Sequence, residues 1–196
     1  MNTAQEAGAP AEGHARLSAA AHVQSLSRTQ RLVAGYGAAL VVVASFVRFG
    51  FSAHALVGAI FAAALVLLTV IDIDRRLIPD AIVLPTLAVV LILQIAFHPN
   101  HTLEWVIATL GAALFFFIPM LVYPAGMGMG DVKLAALLGA ALGRSVTVAI
   151  GAAVFAAGIV AVYVLLHEGA GARKKAIAFG PFLALGGLLV LFLGGH

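Results

Sequence analysis

The aspartates of this chain are its strongest candidates for chemistry, because all four fall in two short segments. The first segment reads Asp72-Ile-Asp-Arg-Arg-Leu-Ile-Pro-Asp80 and the second reads Gly128-Met-Gly-Asp131, and each adjoins an apolar run. Ionisable groups beside hydrocarbon are costly and by default indicate function. Two carboxyl groups held a few Å apart cannot both ionise, so one keeps its proton near neutral pH. Such a pair could activate water and protonate a peptide carbonyl, which is the chemistry of an aspartic peptidase.

Asp72 and Asp131 are the two predicted catalytic residues. Asp72 directly extends the apolar run 55–71, so its carboxyl group should lie near the hydrocarbon boundary. Asp131 follows alternating glycines, which allow a sharp turn and the close approach of another chain segment. A helix that begins here would also stabilise the Asp131 carboxylate through its dipole. The two nearest glycines, Gly128 and Gly130, are expected to support the site.

The other polar residues of these segments have simpler explanations. Asp74 is expected to be solvated in a basic loop. Asp80 follows Pro79 and precedes an apolar run, which is typical of the N-cap of a helix that begins at residue 81. Lys133 has two interpretations. In the first it is functional, and it influences the protonation of the acidic pair or binds an acidic group of the substrate. In the second it only anchors the chain at the side of the membrane where basic residues are enriched.

The composition predicts an all-α, polytopic membrane helical bundle. Of 196 residues, 63% are hydrophobic and 10% are charged, whereas a soluble domain carries about 25% charged residues. The bilayer is therefore the expected solvent and partner of most of the chain. There is no cysteine, which excludes disulfides, thiolate metal sites and cysteine nucleophiles. The net charge of +3 comes from basic residues scattered between apolar runs, so nucleic acid is not an expected partner.

About seven apolar segments are predicted to form transmembrane helices, within a transmembrane domain over residues 32–194. A run of about 20 residues spans a hydrocarbon core of ~30 Å. The segment 132–143 is shorter, and is either a short span or one arm of a helical hairpin. Gly180-Pro181 either breaks the last span and opens a path to a polar site or packs against another helix. The predicted segments are 32–47, 55–71, 81–97, 105–122, 132–143, 146–166 and 176–193.

The basic residues predict the orientation of the bundle. No small-residue cleavage site follows the first apolar run, so a removable signal peptide is not expected. Residues 1–31 are instead expected to form a polar segment, which the count of basic residues places in the cytoplasm. Seven crossings from this start leave only Arg48 and Arg144 outside, which favours a crossing by 132–143 and places loops 72–80 and 126–131 on the cytoplasmic face. The nine inside residues are Arg16, Arg28, Arg31, Arg75, Arg76, Lys133, Arg173, Lys174 and Lys175.

Signatures of other hydrolases are absent from the sequence. It contains no His-Glu-x-x-His motif of zinc proteases and no Gly-x-Ser-x-Gly motif of serine hydrolases. His98 and His101 are expected in a polar loop on the outer face, without a third metal ligand nearby. No metal and no cofactor is therefore expected.

Three sequence blocks resemble the type IV prepilin leader peptidases, a family of GxGD membrane aspartic peptidases. The segment 72–80, followed by Leu84-Pro85, is similar to the family block that runs from a catalytic Asp to Ile-Pro-Asn or Ile-Pro-Asp. Residues 128–134, which read Gly-Met-Gly-Asp-Val-Lys-Leu, are similar to the family's Gly-x-Gly-Asp-x-Lys-Leu. The third block begins Phe179-Gly-Pro-Phe-Leu. The blocks keep the family's order over about residues 55–193, the expected peptidase region, and the family's catalytic aspartates fall on Asp72 and Asp131.

The resemblance implies a membrane aspartic endopeptidase of the bacterial inner membrane, with its active site facing the cytoplasm. Its substrates would be type IV prepilin-like precursors, cleaved after a glycine that precedes a hydrophobic helix. Longer members carry a further cytoplasmic region, often with paired Cys-x-x-Cys motifs, and also methylate the new N-terminus. This chain has no cysteine and a short connection between its first two predicted spans, so a peptidase-only enzyme is expected, similar to the short members that accompany tight-adherence pili.

Two alternatives stay open at the level of the sequence. A preflagellin-type or presenilin-like peptidase would use the same acids on another substrate, although the Pro-Ala-Leu block of presenilin-like enzymes is absent. A proton-coupled small transporter, or a non-enzymatic subunit of a secretion system, would also bury acidic groups. Transporters often contain internal repeats, and no convincing repeat relates the two halves of this chain.

Overall fold

The computed structural model describes residues 19–122, 128–168 and 178–194. Within these ranges all regular structure is helical, which confirms the predicted all-α fold. Short 3-10 turns at Pro99–His101 and Gly143–Ser145 precede α5 and α7. The helices are α1 (Ala19–Gln24), α2 (Arg28–Phe49), α3 (Ala53–Arg75), α4 (Asp80–Phe97), α5 (Thr102–Val122), α6 (Met129–Leu142), α7 (Val146–Glu168) and α8 (Gly180–Leu193).

The lengths and apolar character of these helices make the chain a multi-pass membrane protein. In the described ranges, five apolar helical stretches are long enough to cross a bilayer: α2, α3, α4, Pro99–Val122 and Met129–His167, the last of which joins α6 to α7. α6 and α8 have 14 residues each. Such a helix is about 21 Å long, less than a hydrocarbon core of ~30 Å. The predicted membrane helical bundle is confirmed, and the number of seven crossings stays a prediction.

The first long helix begins at Arg28, earlier than the apolar pattern predicted. Ser27 caps it, because Ser27 Oγ accepts a hydrogen bond from the Gln30 backbone N–H (3.2 Å) and the Ser27 N–H donates to Gln30 Oε1 (2.8 Å). This reciprocal capping box satisfies N–H groups that have no partner within the helix. The segment predicted as polar over 1–31 therefore ends in α1 and the first turn of α2, while residues 1–18 lie outside the described ranges.

Helices that follow one another in the chain run in opposite directions, which brings distant parts of the sequence to the same end of the bundle. In α3 and α8, a Cβ added at Gly58 would contact the Leu191 side chain, whereas a Cβ at Gly180 would contact the Asp72 carboxyl group. The two helices are therefore antiparallel. The C-terminus of α3 and the N-termini of α4, α6 and α8 meet at one end of the bundle, which we call the site end.

α6 is the central helix of the bundle. Every residue from Leu134 to Leu142 is buried, on all sides of the helix. α6 packs against α3, α4, α5, α7 and α8. Its closest approach is to α5, because a Cβ at Gly139 would overlap the carbonyl oxygen of Ala108. A helix that is apolar all round has to be enclosed by other helices. Asp131 is half-buried and lies at the N-terminal end of this enclosed segment, next to Met129, which is 45% exposed.

A buried amide joins α4 to the far end of α6. Gln94 is 4% exposed, and its Nε2 donates a hydrogen bond to the carbonyl oxygen of Ala141 (3.0 Å). Ala141 lies in the last turn of α6, where carbonyl groups have no partner within the helix. An unpaired amide in hydrocarbon costs several kcal/mol, so this bond holds the two helices together.

The opposite end of the bundle carries a small polar cluster. Arg144 and Glu104 form an ion pair (Nε to Oε2, 3.2 Å), and His101 Nδ1 lies 3.3 Å from the same carboxylate oxygen. The 3-10 turn Pro99–His101 forms the connection in which His98 and His101 were expected. This end therefore combines charged groups with the apolar flanks of α5 and α7.

The contact at Gly139 predicts a large effect of one methyl group. Gly139→Ala should separate α5 from α6 and lower the free energy of unfolding by about 1–3 kcal/mol, as overpacking of a tight interface does. Thermal unfolding of the purified protein in detergent would measure this. Gly111→Ala in α5 is the matched control, because a Cβ there meets nothing within 4 Å. Equal stability of the two variants would contradict the close packing of α5 on α6.

Candidate active site

Asp72 lies in the last turn of α3, which continues to Arg75. The segment that was predicted to be a loop from residue 72 is thus helical at its start. Asp72 is 5% exposed. α3 ends because Arg76 adopts a left-handed conformation (φ 51°), and the Arg76 N–H donates to the Asp72 carbonyl oxygen (2.7 Å). This cap turns the chain sharply and leaves the Asp72 side chain inside the bundle.

Asp131 is the third residue of α6, in the first turn of the central helix. The Asp131 backbone N–H donates to the carbonyl oxygen of Gly128 (3.1 Å), and the Asp131 carboxyl group turns back toward the Gly128 N–H. An acidic side chain at this position satisfies an N–H group that has no partner within the helix, and it benefits from the helix dipole. The helix start predicted at Asp131 is therefore present, with Gly128 as the residue before the helix.

Ile78 joins the three segments that form the site. It is 7% exposed and lies between two glycines. A Cβ at Gly130 would lie 2.8 Å from Ile78 Cβ, and a Cβ at Gly180 would lie 3.4 Å from Ile78 Cδ1. The two glycines thus let the ends of α6 and α8 approach the connection between α3 and α4. As a result Asp72 and Asp131 lie at the same end, with their carboxyl groups close enough to interact electrostatically.

Gly180 is the closest backbone neighbour of the Asp72 carboxyl group that the structure identifies. A Cβ at Gly180 would lie 2.5 Å from Asp72 Oδ2 and 3.1 Å from its Cγ, and the Gly180 N–H faces the same group. α8 begins at Gly180, with Pro181 in its first turn, where proline is favourable. Gly180-Pro181 therefore starts a helix beside Asp72 and does not interrupt α8.

The surroundings of the two acids suit general acid–base chemistry. Asp72 Oδ2 is buried without a hydrogen-bond partner among the described residues. In the same ranges, neither Asp72 nor Asp131 has an ion pair with Lys or Arg. Two carboxyl groups that share an apolar site without a cation favour a state with one proton between them. In that state one group can accept a proton while the other donates one.

Asp80 is not the N-cap that the sequence predicted. Pro79 occupies that position, and Asp80 is the first residue of α4. Asp80 Oδ1 lies 2.6 Å from Lys133 Nζ, and the side chains are 53% and 25% exposed. The prediction was wrong because the proline ring already fixes the chain where α4 begins, so the carboxylate is available for a contact with α6. Lys133 thus binds a residue of the same chain, which holds the N-terminus of α4 against α6.

Asp74 is exposed, as predicted, but it belongs to α3 and not to a loop. It accepts a hydrogen bond from Gln30 Nε2 (2.6 Å) and lies 3.5 Å from Arg75 Nε. Asp74 therefore joins the N-terminus of α2 to the C-terminus of α3. It points away from Asp72, because residues two apart do not share a face of a helix.

Sequence reasoning missed Ile78 as a part of this site, and it linked Gly180-Pro181 to a polar site only as one of two interpretations. Both residues stood in blocks that carried the family resemblance, and that position was the available signal. The spacing of Gly180 gave no indication of contact with Asp72, because the two residues are 108 positions (180 − 72) apart along the chain. Within the described ranges, no three His, Asp or Glu side chains are grouped so that they could hold a metal ion.

Comparison with known proteins identifies the family of this chain. A sequence profile described as the type IV leader peptidase family matches residues 59–166, which include both Asp72 and Asp131. The chain belongs to this family. The resemblance seen in the three sequence blocks is therefore confirmed.

The similar curated proteins are bacterial and longer than this chain. A Pseudomonas putida protein named prepilin leader peptidase/N-methyltransferase is 36% identical over 172 residues, which cover 81% of this chain and 57% of the relative. A Bacillus subtilis protein of the same name is 31% identical over 164 residues, which cover 80% of this chain and 63% of the relative. The chain thus spans little more than half the length of these relatives. No solved structure matches it.

The contact between Gly180 and Asp72 predicts a strong effect of one added methyl group. In Gly180→Ala the Cβ would displace the Asp72 carboxyl group, and misplacing a reacting group by about 1 Å costs about 100-fold in rate. Cleavage of a prepilin, the activity named for the relatives, would measure the loss. Gly35→Ala is the control, because a Cβ at Gly35 meets nothing within 4 Å. A folded Gly180→Ala variant with an unchanged rate would contradict this geometry.

Proposed function

We propose that this protein is an aspartic endopeptidase that removes the leader peptide of type IV prepilin-like precursors, with Asp72 and Asp131 as its catalytic residues. The observation that carries the proposal is the position of these two acids at the site end, close enough to interact electrostatically, in a chain that belongs to the type IV leader peptidase family. The names of the curated relatives support the substrate class. Gly130 supports the site by letting α6 begin beside Ile78, and Gly128 supports it through the N–H group that faces the Asp131 carboxyl group. Lys133 supports it through Asp80.

The proposed reaction needs one proton shared by the pair. The ionised carboxyl group takes a proton from a water molecule, whose oxygen attacks the carbonyl carbon of the scissile peptide bond. The protonated carboxyl group donates its proton to the carbonyl oxygen, which gives a neutral tetrahedral intermediate. The C–N bond then breaks as the amine accepts a proton from one carboxyl group. The other, ionised carboxyl group takes a proton from a hydroxyl of the intermediate, which becomes the new carboxyl group of the leader. The pair returns to its starting state with one proton.

The acids themselves are the first test. Asp72→Asn and Asp131→Asn each keep the side-chain shape but remove a carboxyl group, so each should lower leader cleavage by at least about 100-fold. Asp74→Asn is the matched control at the same end of the bundle, and it should cleave at a rate near wild type. Mass spectrometry of a purified prepilin after incubation with each variant would measure the product. A near-normal rate in either member of the first pair would overturn the proposal.

We infer that the site end faces the cytoplasm, in the inner membrane of a bacterium. Basic residues support this side, since Arg28, Arg31, Arg75, Arg76 and Lys133 all lie toward the site end. The enzyme is further proposed to lack N-methyltransferase activity, because the connection between α2 and α3 is only residues 50–52 and the sequence contains no cysteine. A prepilin product whose new N-terminal mass lacks a methyl group is the expected result of incubation with a methyl donor.

The absence of native cysteines makes the orientation directly measurable. Leu77→Cys would place a thiol at the site end, and Phe51→Cys would place one at the opposite end, where Phe51 is fully exposed. In intact cells a membrane-impermeant maleimide should label Phe51→Cys and should label Leu77→Cys only after the membrane is opened. The reverse pattern would show that the site end faces outward.

A further inference from the structure

A groove separates α5 from α7 at the end of the bundle opposite Asp72 and Asp131. It has a volume of about 1040 Å³. Its walls include Gly111 of α5 and Gly151 of α7, and a Cβ at either position would meet nothing within 4 Å. The groove is therefore open space on the outside of the bundle and is not filled by the packing of the two helices.

The groove is polar at one end and apolar along the rest of its length. The polar end is formed where the turn before α7 meets the start of α5, and it contains Asn100, His101, Glu104, Arg144 and Thr147. The apolar part continues between the two helices and is lined by residues such as Ile107, Ala112, Phe115, Ile150 and Val154. A ligand that fits it therefore has a polar head and an apolar tail.

The length of the groove matches one leaflet of a bilayer. Its lining on α5 extends from Leu103 to Phe115, which at ~1.5 Å per residue is about 18 Å. Half of a hydrocarbon core of ~30 Å is about 15 Å. A transmembrane helix of a protein partner would need an apolar surface about twice as long. It would not match a groove that is polar at only one end. The dimensions therefore fit an acyl chain better than a helix.

Arg144 supplies the charge that a lipid headgroup would require. Its side chain is 84% exposed, although Nε pairs with Glu104 Oε2 at 3.2 Å. The guanidinium group has five N–H donors, so one ion pair leaves others directed to solvent. Such donors bind phosphate oxygens in a bidentate manner. The ion pair with Glu104 also fixes the Arg144 side chain beside the mouth of the groove.

We propose that the groove between α5 and α7 binds one glycerophospholipid of the leaflet opposite the site end, with its phosphodiester at Arg144 and an acyl chain between the two helices. The bound lipid covers the surfaces of α5 and α7 that line the groove. This site is separate from Asp72 and Asp131, so the proposal stands or falls independently of the peptidase function.

Native mass spectrometry of the detergent-purified full chain, titrated with palmitoyl-oleoyl-phosphatidylglycerol, tests this site. The wild type should bind one lipid saturably. Gly151→Leu fills the groove, and Arg144→Ala removes the phosphate contact, so each should weaken binding at least about tenfold, as the loss of a charged hydrogen bond does. Palmitoyl-oleoyl-glycerol, which lacks the phosphodiester, should bind the wild type about as weakly as the phospholipid binds Arg144→Ala.

Gly158→Leu is the matched control for Gly151→Leu. Gly158 lies on the same helix, two turns further along, where a Cβ also meets nothing within 4 Å, and it does not line the groove. Gly158→Leu should bind phosphatidylglycerol as the wild type does. An equal loss in both leucine variants would mean nonspecific surface lipid and would overturn the proposal, as would no saturable binding by the wild type. Wild-type lipid binding by Gly151→Leu together with a loss of prepilin cleavage would assign the groove to the substrate instead.

Discussion

The enclosure of α6 is the constraint on which the rest of the structure depends. The helix is buried on all sides from Leu134 to Leu142, and its 14 residues are fewer than a full span requires. Its carbonyl groups at one end and its acidic first turn at the other cannot face lipid, because unpaired polar groups in hydrocarbon cost several kcal/mol. Five other helices pack around it, and Gln94 of α4 supplies a hydrogen bond at its C-terminus. Asp131 lies in the first turn of this helix, just before its fully buried part begins.

Glycines decide how closely the surrounding helices approach the site. Gly139 permits the contact of α6 with α5, Gly130 accepts Ile78, and Gly180 accepts the Asp72 carboxyl group. Close packing through small residues is the usual way in which membrane helices associate, because lipid tails are as apolar as leucine and give no hydrophobic drive between helices. Here the same packing also excludes other side chains from the space around two acids. Stability and the geometry of the site thus depend on the same backbone contacts.

The two ends of the bundle differ in chemistry because α6 is short. At the site end, the N-termini of α4, α6 and α8 converge on the end of α3, so their free N–H groups and dipoles surround the acidic side chains. At the other end, α6 stops and the turn Gly143–Ser145 carries the chain to α7. The groove between α5 and α7 lies at this end, beside Arg144 and Glu104. The compact acidic site and the open apolar groove therefore lie at opposite ends of α6.

The sequence by itself determined the solvent, the fold class and the candidate acids. Hydropathy and length are local properties, so the apolar runs predicted the positions of α2 to α8 closely. The two candidate aspartates could be singled out by their positions beside these runs and the glycines. Capping was less predictable, because Ser27 moved the start of α2 and Pro79 took the place expected for Asp80. Only the tertiary structure decided that Gly180 and Ile78 adjoin the acids and that Lys133 binds Asp80. These contacts join residues far apart in the chain, and they depend on how closely particular helices pack, which no local pattern of residue types specifies.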